Sequence, residues 1–229
     1  MPEELPVDRR WAVGALLIMT FATGLVDAVS FLRLGHVFVA NMTGNVVFLG
    51  FSVAHGYGLP VVAPIVAMVT FVLGAFLGGQ LSRLLGARPR LWLGGSFAGQ
   101  AGGLTLTALL IGTGVLRPEG RLLLVIIALL GACCGLQNAT VRLLAPRDLT
   151  TTVLTQTLTA LTAQSVLGAG TGTAPHRKVG SLLAMFAGAA TGALLLQVTL
   201  AGVVGLAAVL VAGAACLFAL APVADTSPV

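Results

Sequence analysis

Gly24-Leu25-Val26-Asp27-Ala28 recurs as Gly135-Leu136-Gln137-Asn138-Ala139, 111 positions further along a chain of 229 residues. Each copy lies in the last third of a long apolar segment. Each is followed by an unusually polar one: Asn41-Met42-Thr43-Gly44-Asn45 after the first, Thr150 to Gln156 after the second. Internal repeats with polar groups at matching depths are a common plan of proteins that move small solutes across membranes. Asp27, in the first copy, is the only carboxylate well inside a membrane-length apolar stretch.

Composition sets the class. The chain is 57% hydrophobic and 8% charged, with mean hydropathy +1.04, whereas soluble proteins carry roughly 25% charged residues. An all-α polytopic membrane protein is the reading this dictates. Met1 to Arg10 followed by an apolar run has the outline of a signal peptide. The run reaches about Leu34, however, and the rest of the chain is equally apolar, so the segment reads as a first spanning helix. No gap between apolar segments exceeds about ten residues, so residues 1–229 are expected to form a single integral membrane domain. The 12 basic residues against 7 acidic ones stand singly or in pairs between apolar segments. That is how topology signals are distributed, and it gives no reason to expect a nucleic-acid partner. Arginine outnumbers lysine eleven to one among residues dominated by Ala, Gly, Leu and Val. This is the codon signature of a GC-rich bacterial genome and points to the bacterial cytoplasmic (inner) membrane.

Eight apolar segments run at about 11–34, 37–54, 61–85, 91–116, 121–144, 149–169, 179–198 and 200–222. A spanning helix needs about 20 apolar residues, and six of them qualify. The segment at 37–54 is short and holds Asn41, Thr43, Asn45 and Ser52. The segment at 149–169 is long enough but rich in threonine. The distribution of basic residues tests whether these two cross. With eight crossings and a cytoplasmic N-terminus, Arg9, Arg10, Arg117, Arg121, Arg177 and Lys178 lie inside, and Arg33, Arg83, Arg88, Arg90, Arg142 and Arg147 outside: six against six. If the two polar segments enter and leave on one side, the inside holds nine, and only Arg33, Arg117 and Arg121 remain outside. The second arrangement obeys the positive-inside rule. The fold expected is therefore two three-helix inverted repeats, at about 11–116 and 121–222, each with one re-entrant or broken polar segment. Eight spanning helices in parallel repeats are the alternative.

Several helices carry glycines spaced for close backbone approach in lipid: Gly74/Gly78, Gly95/Gly99, Gly99/Gly103, Gly131/Gly135 and Gly188/Gly192. Packing is the expected role, with a homo-oligomer interface on one of them left open.

Four groups of residues carry candidate chemistry. A charge near the bilayer centre costs at least about 2.5 kcal/mol, so Asp27 should lie against protein or water. It reads either as a proton-accepting or cation-coordinating carboxylate, or as a structural one hydrogen-bonded to Thr23, Ser30 or a facing asparagine. Its counterpart Asn138 is neutral, an asymmetry compatible with coupling to one proton. Asn41, Thr43, Gly44 and Asn45 make a poor continuous membrane helix. Non-helical backbone at membrane depth occurs only against protein or a wet cavity, so this motif reads as a half-helix tip lining a solute site, or as polar glue between helices. In the second polar segment, Thr151, Thr155, Thr159 and Thr162 share one helical face beside Gln156. Such a stripe lines a polar path or bonds back to its own helix. Gln80, Gln100, Gln137 and Gln197 are single amides in apolar segments, expected to bridge helices, with Gln137 beside Asn138 the best functional candidate. Asp148 reads as a helix cap. Cys133, Cys134 and Cys216 fall within apolar segments without disulfide or metal spacing. No metal, no cofactor and no enzymatic activity are expected.

Phe21 to Ser30, continuing through Gly35-His36-Val37-Phe38 to Asn41-Met42-Thr43-Gly44-Asn45, resembles the YoaK-like family of small bacterial multi-pass membrane proteins of unknown function. The resemblance is densest over residues 20–50. It implies a membrane location and brings no substrate, cofactor or catalytic residue.

The leading expectation is an inner-membrane transporter or channel for a small polar solute, with a cytoplasmic N-terminus and proton coupling through Asp27. The pathway would be built from Asp27, Asn41, Thr43, Gly44, Asn45, Gln137, Asn138, Thr155 and Gln156, with the lipid bilayer and the solute or proton as partners. The alternative is a non-transporting scaffold or partner subunit, whose polar groups would pair with one another and leave no cavity.

Overall fold

The computed structural model describes residues 9–53, 61–144, 158–159, 162 and 175–220. Thr155, Gln156, Asp148 and most of the threonine-rich segment lie outside them. The described residues form seven helices and no strand: α1 (Arg9–Arg33), α2 (Met42–Ser52), α3 (Val62–Leu85), α4 (Pro89–Gly112), α5 (Leu122–Leu144), α6 (Pro175–Leu195) and α7 (Leu200–Leu220). Five of them, α1, α3, α5, α6 and α7, are long and apolar enough to cross a bilayer. Six were expected, and the helix that falls short of that apolar character is α4. At 24 residues it is as long as α3, but its glycines and Ser96, Gln100, Thr105 and Thr107 dilute its apolar character. Gln197, expected inside an apolar helix, is instead exposed in the short turn between α6 and α7.

Burial sorts the helices into centre and rim. In the apolar stretch of α1, 72% of residues are buried, against 28% in α3 and 17% in α6. α1 is thus the central helix, enclosed by α6, α7 and α5. α3 and α6 turn Phe76, Leu77, Leu183 and Phe186 outward. Leu25, Leu93, Phe97, Ile126, Leu130 and Phe218 are among the fully buried side chains of the core.

Glycine decides how the helices meet. α6 lies on α1 so closely that a Cβ on Gly24 would stand 2.5 Å from the carbonyl oxygen of Met185, and one on Gly188 2.1 Å from that of Phe21. α3 lies on α5 in the same way: a Cβ on Gly135 would stand 2.0 Å from the carbonyl of Phe71, and one on Gly74 2.0 Å from that of Ala132. One turn on, Gly192 faces Leu25 and Ala28, and Gly78 faces Leu136 and Ala139. Every α1 residue in the first crossing precedes its α5 counterpart by 111 positions (24 to 135, 21 to 132, 28 to 139). Every α6 residue follows its α3 counterpart by 114 (185 from 71, 188 from 74, 192 from 78).

These contacts also fix direction. Leu17 meets Gly180 and Ala28 meets Gly192, so α1 and α6 run parallel. Ala67 meets Gly131 and Gly78 meets Ala139, so α3 and α5 run parallel. α4 is antiparallel to α5, with Gly99 at Leu136 and Gly103 at Cys133. It is antiparallel also to α7, with the Phe97 and Phe218 rings stacked at 5.3 Å and Gly112 at Ala201.

Candidate functional site

The site grows from the reversal that ends α1. Gly35 and His36 both take positive φ, at 85° and 58°, a conformation that glycine adopts freely and other residues at a cost. The two turn the chain back along α1. Leu34, Val37, Val39 and Ala40 then bury their side chains in the core, which holds the non-helical stretch 34–41 against protein. This is the condition under which irregular backbone survives at membrane depth.

The polar motif fastens this stretch. Asn45, fully buried, donates from Nδ2 to the carbonyl of Phe38 at 2.6 Å and accepts the Phe38 N–H on Oδ1 at 2.9 Å. One side-chain amide thereby satisfies both backbone groups of a residue that neither helix can serve. Gly44 leaves room for the Phe38 ring, which a Cβ there would approach to 2.7 Å. Phe38 stacks on Phe31 at 5.1 Å and on Phe48 at 6.1 Å. The break expected inside Asn41–Asn45 thus lies just before it. Met42 to Asn45 form the first turn of α2, and Asn41 stands at its N-cap position.

Asp27 closes the arrangement. It is 5% exposed. Its Oδ1 accepts the Ala40 N–H at 3.1 Å, and its Oδ2 faces Nδ2 of Asn41 at 3.4 Å. The Val39 N–H also points to the carboxylate. The carboxylate therefore sits beside Asn41, the N-cap residue of α2, against backbone N–H groups of the reversal, and the positive end of the helix dipole favours its negative charge. Among the described residues its partners are hydrogen-bond donors and not a cation. Thr23 and Ser30, the expected local partners, are engaged elsewhere: Thr23 Oγ1 donates to the Met19 carbonyl, and Ser30 Oγ donates to the backbone carbonyl of Asp27.

Beside Asp27 lies a cleft of about 280 Å³, lined by Asp27, Ala28, Phe31, Leu32, Phe38, Asn41, Met185 and Ala189. Its walls come from α1, the reversal and α6. Their surface is almost wholly apolar, with Asp27 and Asn41 the two polar residues among those that line it. Small-molecule sites share this character, a mostly apolar lining with few polar groups.

The remaining candidates divide. Asp27, Asn41, Gly44 and Asn45 come together around the reversal. Thr43 is exposed on α2. Gln137 belongs to a second polar centre, where Gln100 Nε2 donates to Gln137 Oε1, and Gln137 Nε2 donates to Thr23 Oγ1 at 2.9 Å. This bridging of α4, α5 and α1 is what single amides in apolar helices predict. Asn138 Nδ2 donates to the carbonyl of Cys134 in its own helix at 2.9 Å. Among the described residues no group of three or more His, Cys, Asp or Glu side chains is placed to hold a metal.

Sequence reasoning passed over Trp92 and Ser96. With Gln100 they stand one turn apart on the buried face of α4, and each carries a buried polar atom without a partner among the described residues. Their i, i+4, i+8 spacing was the available signal, hidden because neither residue is conspicuous alone.

A family described as "Protein of unknown function (DUF1275)" matches residues 15–217. A curated relative, the UPF0700 transmembrane protein YoaK of Bacillus subtilis (strain 168), is 29% identical over 150 residues. The aligned region covers 64% of this chain and 64% of that protein's length. No solved structure matches. Apolar helices of spanning length, a transmembrane relative and a family match over most of the chain agree: this is a multi-pass membrane protein, and it belongs to the DUF1275 family of proteins of unknown function.

Proposed function

We propose that the protein is an inner-membrane transporter or channel for a small polar solute, coupled to protons through Asp27 and built from two inverted three-helix repeats (about 11–116 and 121–222). One observation carries the functional reading. A buried carboxylate at the tip of a half-length helix forms part of the wall of a cleft of about 280 Å³. A carboxylate that among the described residues is held by donors alone can take up a proton or a small cation without an ion pair having to break. Intramembrane carboxylates of this kind mark proton and solute paths.

The repeat reading is supported by the helix directions. The α6–α7 connection is four residues long (196–199), so these two form a hairpin. With the crossings described above, α1, α4 and α6 then run one way and α3, α5 and α7 the other. The chain between α1 and α3 accordingly leaves and re-enters at one face of the membrane, and so does the chain between α5 and α6. The constant 111 and 114 offsets map one half onto the other. Arg83, Arg88, Arg90, Arg142, Arg177 and Lys178 gather at the end where α1 begins, and Arg33, Arg117 and Arg121 at the opposite end. By the positive-inside rule the N-terminus is cytoplasmic.

A scaffold role is favoured by a different observation: Asn45, Gln137 and Asn138 all have protein partners. Uptake into proteoliposomes separates the two. A screen over small polar solutes, with and without a pH gradient, should find one taken up by the wild type and lost in Asp27→Asn. A screen with no uptake favours the scaffold, and uptake unchanged in Asp27→Asn overturns the proton coupling through Asp27.

A further inference from the structure

We propose that α4 forms the wall of a file of bound water molecules that runs from the cytoplasmic end of the helix toward Asp27. The proposal rests on the reading of Asp27 as a protonatable site and supplies its route to the cytoplasm. Trp92, Ser96 and Gln100 are 7%, 1% and 2% exposed. Their spacing by four sets them on one helical face. Each carries a buried polar atom that no protein group meets among the described residues: Nε1 of Trp92, Oγ of Ser96 and Oε1 of Gln100. In sequence these are a donor, a group that both donates and accepts, and an acceptor.

Ser96 is the telling member. Hydroxyls in membrane helices usually return to the carbonyl one turn earlier. Thr20, Thr23, Thr105, Thr107 and Thr140 all do so here, at 2.8–2.9 Å. Ser96 has the same option within its own helix and does not use it. Three polar groups left unmet in a row are costly in a membrane interior, unless water meets them. The spacing suits water: four residues rise about 6 Å along a helix, and one water bridging two groups at about 2.8 Å each covers nearly that distance.

The line then continues through protein groups. Gln100 donates to Gln137, Gln137 donates to Thr23, and Thr23 stands one turn from Asp27 on α1. No side chain in the line before Asp27 is charged. The titratable groups on the buried face of α5 are Cys133, which faces Gly103 of α4, and Cys134. α7 packs against α4 through Ala201, Gly205 and Phe218 and carries no hydroxyl, amide or charged side chain, so α7 adds no polar group to the stripe on α4. Trp92 lies within a turn of Pro89, at the end that carries Arg83, Arg88 and Arg90.

Radiolytic footprinting of the full-length protein in nanodiscs tests this. X-rays generate hydroxyl radicals from bound water in place, whereas peroxide photolysis generates them in bulk. Trp92 is expected to be oxidised by X-rays several-fold faster than buried Phe218, and to be spared by bulk radicals that label half-exposed Trp11. Ser96→Ala and Gln100→Leu should each lower the X-ray labelling of Trp92 at least twofold. Labelling of Trp92 no faster than that of Phe218 in the wild type overturns the water file, and needs no variant to fold. Asp27→Asn should leave Trp92 labelling unchanged. If that variant also leaves solute uptake unchanged, it is the reading of Asp27 that fails and not the water file.

Discussion

Gly24 and Gly135, 111 residues apart, occupy the same place in two different helix crossings: each presents its bare Cα to a backbone carbonyl of a parallel neighbour, Met185 for the first and Phe71 for the second. The glycine of the repeated pentapeptide is the point at which each half grips the other. The obstacle to a side chain at either position is backbone, which cannot rotate aside. Overpacking costs about 1–3 kcal/mol even where side chains adapt. Gly24→Val and Gly135→Val should therefore each lower thermal stability in detergent by an amount at or above that range, and to a similar degree. Gly79→Val, at a position with nothing within 4 Å, should be tolerated. Thermal melts of the three variants check this.

Asn45 should be irreplaceable as an amide. Asn45→Ala strands the N–H and C=O of Phe38, and each buried unmet group costs about 1–3 kcal/mol. Asn45→Asp keeps an acceptor for the Phe38 N–H but sets a second oxygen against the Phe38 carbonyl, so it should be no better than alanine. Melting temperatures measured side by side check the order, wild type above both.

The two roles of Asp27 separate by substitution. Asparagine still accepts the Ala40 N–H and should keep most of the stability. Alanine abandons that N–H and the Asn41 amide, and should cost about 2–4 kcal/mol. Proton-coupled uptake should be lost in both. Uptake that follows stability, surviving in Asp27→Asn and failing in Asp27→Ala, would reduce Asp27 to a clamp on the reversal.

Gln100 and Gln137 form a pair to be measured by a double-mutant cycle. Gln137→Leu leaves Gln100 and Thr23 without their partner, whereas removing both glutamines leaves less unmet. The double variant should be more stable than the sum of the single losses by about 0.5–2 kcal/mol.

The sequence made the helices legible, because apolar length is a strong signal, and it marked Asp27 and the Asn41–Asn45 motif by their polarity. It set the break inside Asn41–Asn45, whereas the break lies just before that motif and the Asn45 amide serves Phe38 from within the first turn of α2. It also gave no way to rank 30 glycines. Which ones meet a neighbouring backbone depends on crossings that only the three-dimensional arrangement supplies. Trp92 and Ser96 escaped for a related reason, because a stripe one residue wide has no meaning until the buried face of α4 is known.

The central claim is that the halves are inverted and that the chain between α1 and α3 turns back, setting the tip of α2 against Asp27. Single cysteines at Arg33 and Val61, in a background with Cys133, Cys134 and Cys216 replaced, address it directly. Both positions are exposed and stand at the two ends of that segment. In oriented membrane vesicles a membrane-impermeant thiol reagent should reach Arg33→Cys and Val61→Cys from the same side, and Ala87→Cys only from the other. Labelling of Arg33→Cys and Val61→Cys from opposite sides would mean that the segment crosses the bilayer, and would contradict the account.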